Sequence, residues 1–148
     1  MTIELLCDWR EVWTHGIAPE LTHASLVQLA AALRRDDPAV IQGATVRGVD
    51  YDPQATVRNL DAPPACACPL GFALWQGEGL ETVFSVEARF ADVAVNALKR
   101  MEQRAGHAWV GIPPISIFAG FVDHSARDTM RMLLLEAIEE RLPRHGAA

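Results

Sequence analysis

The chain has 148 residues, of which 50% are hydrophobic and 22% are charged, and its formal net charge at pH 7 is −6. This length predicts a single domain over residues 1–148, and the apolar fraction is sufficient for a packed core. The same arithmetic excludes a disordered chain. It also argues against direct binding of nucleic acid, which requires a basic face.

The cysteines are Cys7, Cys66 and Cys68, an odd number that favours a reducing compartment. No secretory signal is recognisable, and no apolar run is long enough to cross a membrane. We therefore expect a cytoplasmic protein with no membrane partner. The basic residues are arginines apart from Lys99, a bias that we interpret as the mark of a GC-rich bacterial or phage genome.

The first predicted helix covers residues 3–14. Its apolar side chains recur at the helical period, with Trp9 and Trp13 on one stripe. Thr2 is suited to cap this helix, and Gly16 is expected to end it.

A second helix is predicted to begin after Thr22, whose hydroxyl is suited to cap the N-terminus. Arg34 and Arg35 favour its C-terminal end, where positive charge complements the helix dipole. Asp37 and Pro38 then predict a short helical turn that ends near residue 43.

Residues 44–68 form a long extended connection, with a short strand predicted at Thr45–Val49. The segment is rich in proline and aspartate and has no helical period. A connection of this length inside a compact domain is uncommon and often carries function.

Two further helices follow the connection. One is predicted over Pro69–Gln76, with Cys68 at its N-cap and proline in its first position. The other is a long helix with Thr82 or Ser85 as its cap and Gly106 at its end, because apolar residues recur at steps of three and four along it. Residues 82–90 also alternate like a strand, which remains the alternative for that stretch.

The C-terminal part predicts a strand or a buried connection over His107–Ile112 and a short helix over Pro114–Val122. Ser125 and Asp128 have the spacing of a capping box, which predicts a last helix through Leu142. The sum is a mainly α domain of about six helices with a long central connection. An α+β fold with a small sheet is the alternative.

The pair Cys66 and Cys68 is the first candidate for chemistry. Zinc sites usually leave about two to four residues between paired cysteines, so we expect no metal here, and no motif indicates a cofactor. An enzyme that uses Cys66, Cys68 or His15 beside the 44–68 connection is one functional hypothesis. Asp123, His124 and Ser125 are consecutive, which argues against a hydrolytic triad.

Trp9, Trp13 and His15 form a second candidate, an aromatic patch of the kind that anchors protein partners. The competing interpretation is that both tryptophans pack in the core. Asp50, Asp52 and Asp61 give the central connection an acidic bias that could contact a partner protein.

These observations favour a small acidic protein-interaction module, regulatory or inhibitor-like and of the kind that mobile elements encode, over an enzyme. Its partner would be another protein of unknown identity. A structural subunit is the third hypothesis, in which the chain forms a homo-oligomer through Ile115–Val122 or Met130–Ile138.

Overall fold

The computed structural model describes residues 9–143 and shows a mainly α-helical fold, as predicted. Six helices occur in this range, with one small sheet of two strands. The helices are α1 (residues 9–17), α2 (His23–Arg34), α3 (Pro69–Glu78), α4 (Val83–Ala105), α5 (Pro114–His124) and α6 (Arg127–Glu139); the strands are β1 (Val46–Gly48) and β2 (Pro64–Ala67). None of the helices described over 9–143 is both long enough and apolar enough to cross a bilayer.

The helices pack around one hydrophobic core. Helix α4 lies against α1, α3 and α5, whereas α2 lies against α3 and α6. Burial of Val86, Val93, Ala97 and Met101 on α4 follows the predicted helical period, so the strand alternative for residues 82–90 is wrong.

Helix α1 does not end at Gly16. It is α-helical over residues 9–12 and continues as a π-helical turn over Trp13–Ile17, followed by a 3-10 turn over Ala18–Glu20. A Cβ on Gly16 would lie 3.3 Å from Met101 Cγ, so glycine permits the close contact with α4 instead of stopping the helix. The predicted helical residues 3–8 and the predicted cap at Thr2 lie outside the described residues.

Two helices begin with the same threonine–serine arrangement. The hydroxyl of Thr22 accepts a hydrogen bond from the Ser25 amide, and that of Thr82 accepts one from the Ser85 amide, each at 3.0 Å. Such caps satisfy amides that have no partner within the helix. The cap at Thr22 is as predicted, and of the two candidates for α4, Thr82 and Ser85, the cap is Thr82.

Arginines of α6 hold the C-terminal end of α2. Arg131 donates to the carbonyl of Leu33 at 2.8 Å, and Arg127 donates to the carbonyl of Val40 at 2.7 Å. Residues 37–43 form turns and no helix, because the Asp37 carboxylate accepts from the Ala39 amide and ties the segment into a turn. The predicted helical turn there is wrong.

Two predictions near the C-terminus also need correction. Helix α6 begins at Arg127 after Ala126, and Ser125 ends α5 without capping α6. The carbonyl of Ser125 accepts a hydrogen bond from Gln42, which fixes the chain there in a different turn. Residues 107–112 are neither a strand nor buried, and Val110 is 89% exposed.

Candidate functional site

The long central connection folds back on itself as a hairpin. Strands β1 and β2 pair antiparallel, with Val46 opposite Ala67 and Arg47 opposite Cys66. Residues 49–63 are therefore the loop of this hairpin, and every residue from 49 to 61 is exposed. A hairpin loop of this length is unusual, since most such loops have about two to five residues.

Hydrogen bonds order this loop from within. The Tyr51 amide donates to the Gly48 carbonyl at 3.1 Å, and the Ala55 amide donates to the Asp52 carbonyl at 3.1 Å. The side-chain amide of Asn59 donates across the loop to the Asp50 carboxylate at 3.0 Å. These contacts give the loop a defined shape without burying its side chains.

The N-terminus of α4 fixes the returning arm of the loop. The Val83 and Phe84 amides donate to the carbonyls of Ala62 and Leu60, each at 2.9 Å. The first amides of a helix have no partner inside it. The loop backbone supplies those partners, so the loop and the start of α4 form one surface.

This surface, residues 49–61 together with Phe84, is called the loop surface below. It carries five of the ten exposed large apolar side chains found among the described residues: Val49, Tyr51, Val57, Leu60 and Phe84. Val57 is 81% exposed and Phe84 is 58% exposed. Single exposed apolar residues are normal, whereas contiguous groups of them are typical of interaction surfaces.

The charge of the loop surface is mostly negative. Asp50, Asp52 and Asp61 are exposed, and none of them forms an ion pair within residues 9–143. Arg58, in contrast, is paired with Glu87 at 2.5 Å. The predicted acidic residues are thus available for contact with a partner.

The predicted aromatic patch belongs to the core. Trp9 is 6% exposed and stacks on Phe121, and Trp13 is fully buried and stacks on Phe118. Trp13 Nε1 has no hydrogen-bond partner in the described part of the chain. The core interpretation of both tryptophans is confirmed, and neither ring is available for docking. His15 lies beside Glu11, with 3.6 Å between Nε2 and the carboxylate.

The two described cysteines lack the environment of a nucleophile. Cys68 is the N-cap of α3, as predicted, and its Sγ accepts from the Gly71 amide at 3.3 Å. Burial raises the pKa of Cys68 to about 11, although the Gly71 hydrogen bond acts in the opposite direction. Burial also raises the pKa of Cys66, in spite of the nearby Arg47. Both thiols are therefore protonated at neutral pH, when thiolate is the reactive form.

His15 makes no hydrogen bond to either cysteine among the contacts between described residues, and the proposed enzyme site is not assembled. No group of three or more His, Cys, Asp or Glu side chains in residues 9–143 could hold a metal ion. The described part of the chain thus offers no support for catalysis by Cys66 or Cys68.

The two apolar stretches expected to support self-association are largely used inside the molecule. Ile117, Phe118, Phe121 and Val122 of α5 are buried, as are Met130, Leu134, Ala137 and Ile138 of α6. Met132, at 63% exposure, is the most exposed large apolar residue of these two helices. Most of the apolar surface that we expected between copies therefore packs within one chain.

A small cavity lies where α4 and α5 meet the segment before β1. Its volume is about 140 Å³, and Phe90, Phe118 and Val122 form much of its apolar lining. The lining is completed by Cys68, Ala119, Asp123 and residues 43–45. Sequence reasoning missed this cavity, because its residues come from four segments that only the fold brings together.

Comparison of the chain with protein-family models, with curated proteins and with solved structures gives no significant match.

Proposed function

We propose that this protein is a small acidic interaction module that docks on another protein through the loop surface. The partner surface is basic and contains an apolar hollow. The observation that carries the proposal is the concentration of exposed apolar side chains and unpaired carboxylates on one hydrogen-bonded segment. A regulatory or inhibitor-like role fits such a module, because its effect would come from occupying the partner's surface.

The apolar residues of the loop surface would supply the affinity. Val57 is 81% exposed in the free protein, Phe84 58% and Leu60 40%. Full burial of a side chain of this size from water is worth about 1.5–3 kcal/mol, so each can contribute the fraction of that value that corresponds to its exposed part, before the costs of association. The hydrogen bonds that order the loop keep those costs low, since less conformational freedom is lost on binding.

The carboxylates of the loop surface would orient the partner and raise the association rate. Asp50, Asp52 and Asp61 attract a basic partner electrostatically, and salt screens this attraction. Charges at the rim of an interface act mainly on the association rate, so binding should weaken as the salt concentration rises.

A charge-matched comparison tests the proposal. The wild-type chain, the variant Asp50→Asn/Asp52→Asn/Asp61→Asn and the control Asp92→Asn/Asp128→Asn/Glu139→Gln serve as baits in extract from the source organism. Each variant removes the same negative charge, and the loop asparagines retain an oxygen for the local hydrogen bonds. Bound proteins are identified and then purified for binding at low and high salt.

We expect a protein that the wild type and the control retain and that the loop variant loses. With purified components, its affinity for the wild type should fall as salt rises, and Phe84→Ala should weaken it further. The proposal fails if the loop variant and the wild type bind the same proteins with the same affinity, or if only the control variant loses binding.

A further inference from the structure

The lining of the cavity between α4 and α5 is mostly apolar but includes one carboxylate. Phe90, Phe118, Ala119 and Val122 contribute apolar surface, and Asp123 is the only charged residue among the described residues that line it. Its volume of about 140 Å³ is close to that of an engineered apolar cavity that holds benzene. A single small ring or a short branched alkyl group would fill it.

The carboxylate of Asp123 is held in place but not neutralised. Its Oδ1 accepts a hydrogen bond from the Gly43 amide at 2.8 Å, which fixes the side chain against the segment before β1. Within residues 9–143 it forms no ion pair. Its second oxygen is therefore available to a ligand.

Two further polar side chains line the cavity, Cys68 and Thr45, and neither places a positive charge against a cationic ligand. Burial raises the pKa of the Cys68 thiol to about 11, and the negative charge of Asp123 also contributes to this rise. The thiol is therefore neutral at pH 7 and adds a polarisable surface to the apolar lining.

We propose that this cavity binds a small primary amine with a compact apolar body, such as an arylmethyl- or branched alkylammonium. The apolar body packs against Phe90, Phe118 and Val122, and the ammonium group donates to the carboxylate of Asp123. An anion would be repelled by Asp123, and the apolar part of a larger ligand would extend beyond the cavity. This site is separate from the loop surface and does not depend on the docking function.

Titration of the full chain with benzylamine, monitored by amide NMR, tests the site. Benzyl alcohol serves as the neutral isostere, benzoate as the anion and methylammonium as the charge without an apolar body. We expect saturable shifts at Gly43, Thr45 and Ala119 with benzylamine. Benzyl alcohol should bind about fivefold more weakly, as expected for the loss of an ion pair at an exposed carboxylate. Benzoate and methylammonium should give no saturable shift.

Two variants separate the parts of the site, and each has a matched control. Asp123→Asn retains an oxygen for the Gly43 amide and should abolish the preference for benzylamine over benzyl alcohol, whereas Asp92→Asn on α4 should not. Ala119→Leu fills the cavity and should abolish both ligands' binding, whereas Ala91→Leu, on the exposed side of α4, should not.

Near-ultraviolet circular dichroism shows whether Ala119→Leu keeps the native packing, and Ala119→Val replaces it if it does not. Equal affinity of the wild type for benzylamine and benzyl alcohol would contradict the role of Asp123. Shifts that persist in the filled variant, or the absence of saturable shifts with benzylamine in the wild type, would contradict the site itself.

Discussion

Two regions of this molecule use the same residue types in opposite ways. Around α1 and α5, Trp9 stacks on Phe121 with 3.8 Å between ring centroids, and both side chains are buried. On the loop surface, Phe84 and Tyr51 are more than half exposed. The aromatic core is ordered by packing, whereas the loop surface is ordered by backbone and side-chain hydrogen bonds.

This difference supports the proposal that the loop surface binds a partner. A side chain that is buried in the core cannot also contact a partner, and both tryptophans of α1 are buried in this way. A loop that is ordered by its own hydrogen bonds leaves its apolar side chains free. Their burial free energy then remains for an interface.

The largest effect is expected from a matched pair of phenylalanines. Phe121→Ala should lower the free energy of unfolding by about 3–5 kcal/mol, because it opens a cavity beside Trp9. Phe84→Ala should change it by at most about 0.5 kcal/mol, because that side chain is exposed. Urea unfolding followed by circular dichroism measures both. Similar losses in the two variants would show that Phe84 is part of the core and not of the loop surface.

A second contrast is between carboxylates that form ion pairs, such as Glu20, and those of the loop surface, which form none among the described residues. Glu20 accepts from Asn96 at 2.7 Å and from Arg100 at 2.8 Å. Burial acts to raise the pKa of Glu20, but these contacts outweigh it, and the pKa lies below its ordinary value of 4.5. Folding therefore gains stability from ionised Glu20 above pH 4.5, and this gain is lost as the pH falls through the folded-state pKa.

Glu20→Gln should therefore cost about 1–2 kcal/mol at pH 7. Urea unfolding at several pH values should show the difference from wild type shrinking under acid conditions. Asp52→Asn on the loop surface is the control and should leave stability within about 0.5 kcal/mol of wild type at every pH. A cost of Glu20→Gln that does not depend on pH would contradict the ionic origin.

The two threonine caps provide a third test. Thr82→Ala and Thr22→Ala should each cost about 1 kcal/mol, since each removes the acceptor for one serine amide. Only Thr82→Ala should also accelerate amide exchange in residues 49–61, because the N-terminus of α4 holds the loop. If the loop amides exchange at the same rate in the two variants, the order of the loop does not depend on the N-terminus of α4.

The smallest expected signal concerns the cysteines, compared in a Cys7→Ser background. At pH 8 Cys66 should react with iodoacetamide faster than Cys68, because burial raises the pKa of the Cys68 thiol to about 11 and its Sγ is held by the Gly71 amide. Both should react more slowly than a free thiol, since burial raises the pKa of Cys66 as well. The rate for Cys68 should keep rising to about pH 11, the pKa of its thiol. Mass spectrometry of the modified peptides measures the order, and faster reaction of Cys68 would mean that its thiol is not held as described.

Local signals in the sequence were sufficient for most of the helices. The helical period identified α4, and side-chain chemistry identified the caps at Thr22 and Cys68. For α4 it left two candidates, Thr82 and Ser85, of which Thr82 is the cap. The errors arose where tertiary contacts override a local signal. Gly16 allows close packing of α1 against α4 and does not end the helix. The Ser125 carbonyl accepts a hydrogen bond from Gln42, which places Ser125 in a turn between α5 and α6.

The sites were less accessible to sequence reasoning. Asp50, Asp52 and Asp61 could be chosen from composition, but the contact of Leu60 with the start of α4 could not, because it depends on how the hairpin returns. The spacing of Trp9 and Trp13 predicted a helix, but it did not decide whether these side chains pack in the core or lie on the surface. The cavity depends on Phe90 and Asp123, which lie far apart in the chain.

Amide hydrogen exchange of the wild-type protein tests the central claim most directly, namely that the loop surface is a preformed surface. The amides of Val49, Tyr51, Val83 and Phe84 donate to carbonyl groups at 2.9–3.1 Å. We predict that these amides exchange more slowly than the same amides in an unstructured peptide. Exchange at the unstructured rate throughout residues 49–63 would contradict the account, because the loop would then have no fixed shape to offer a partner.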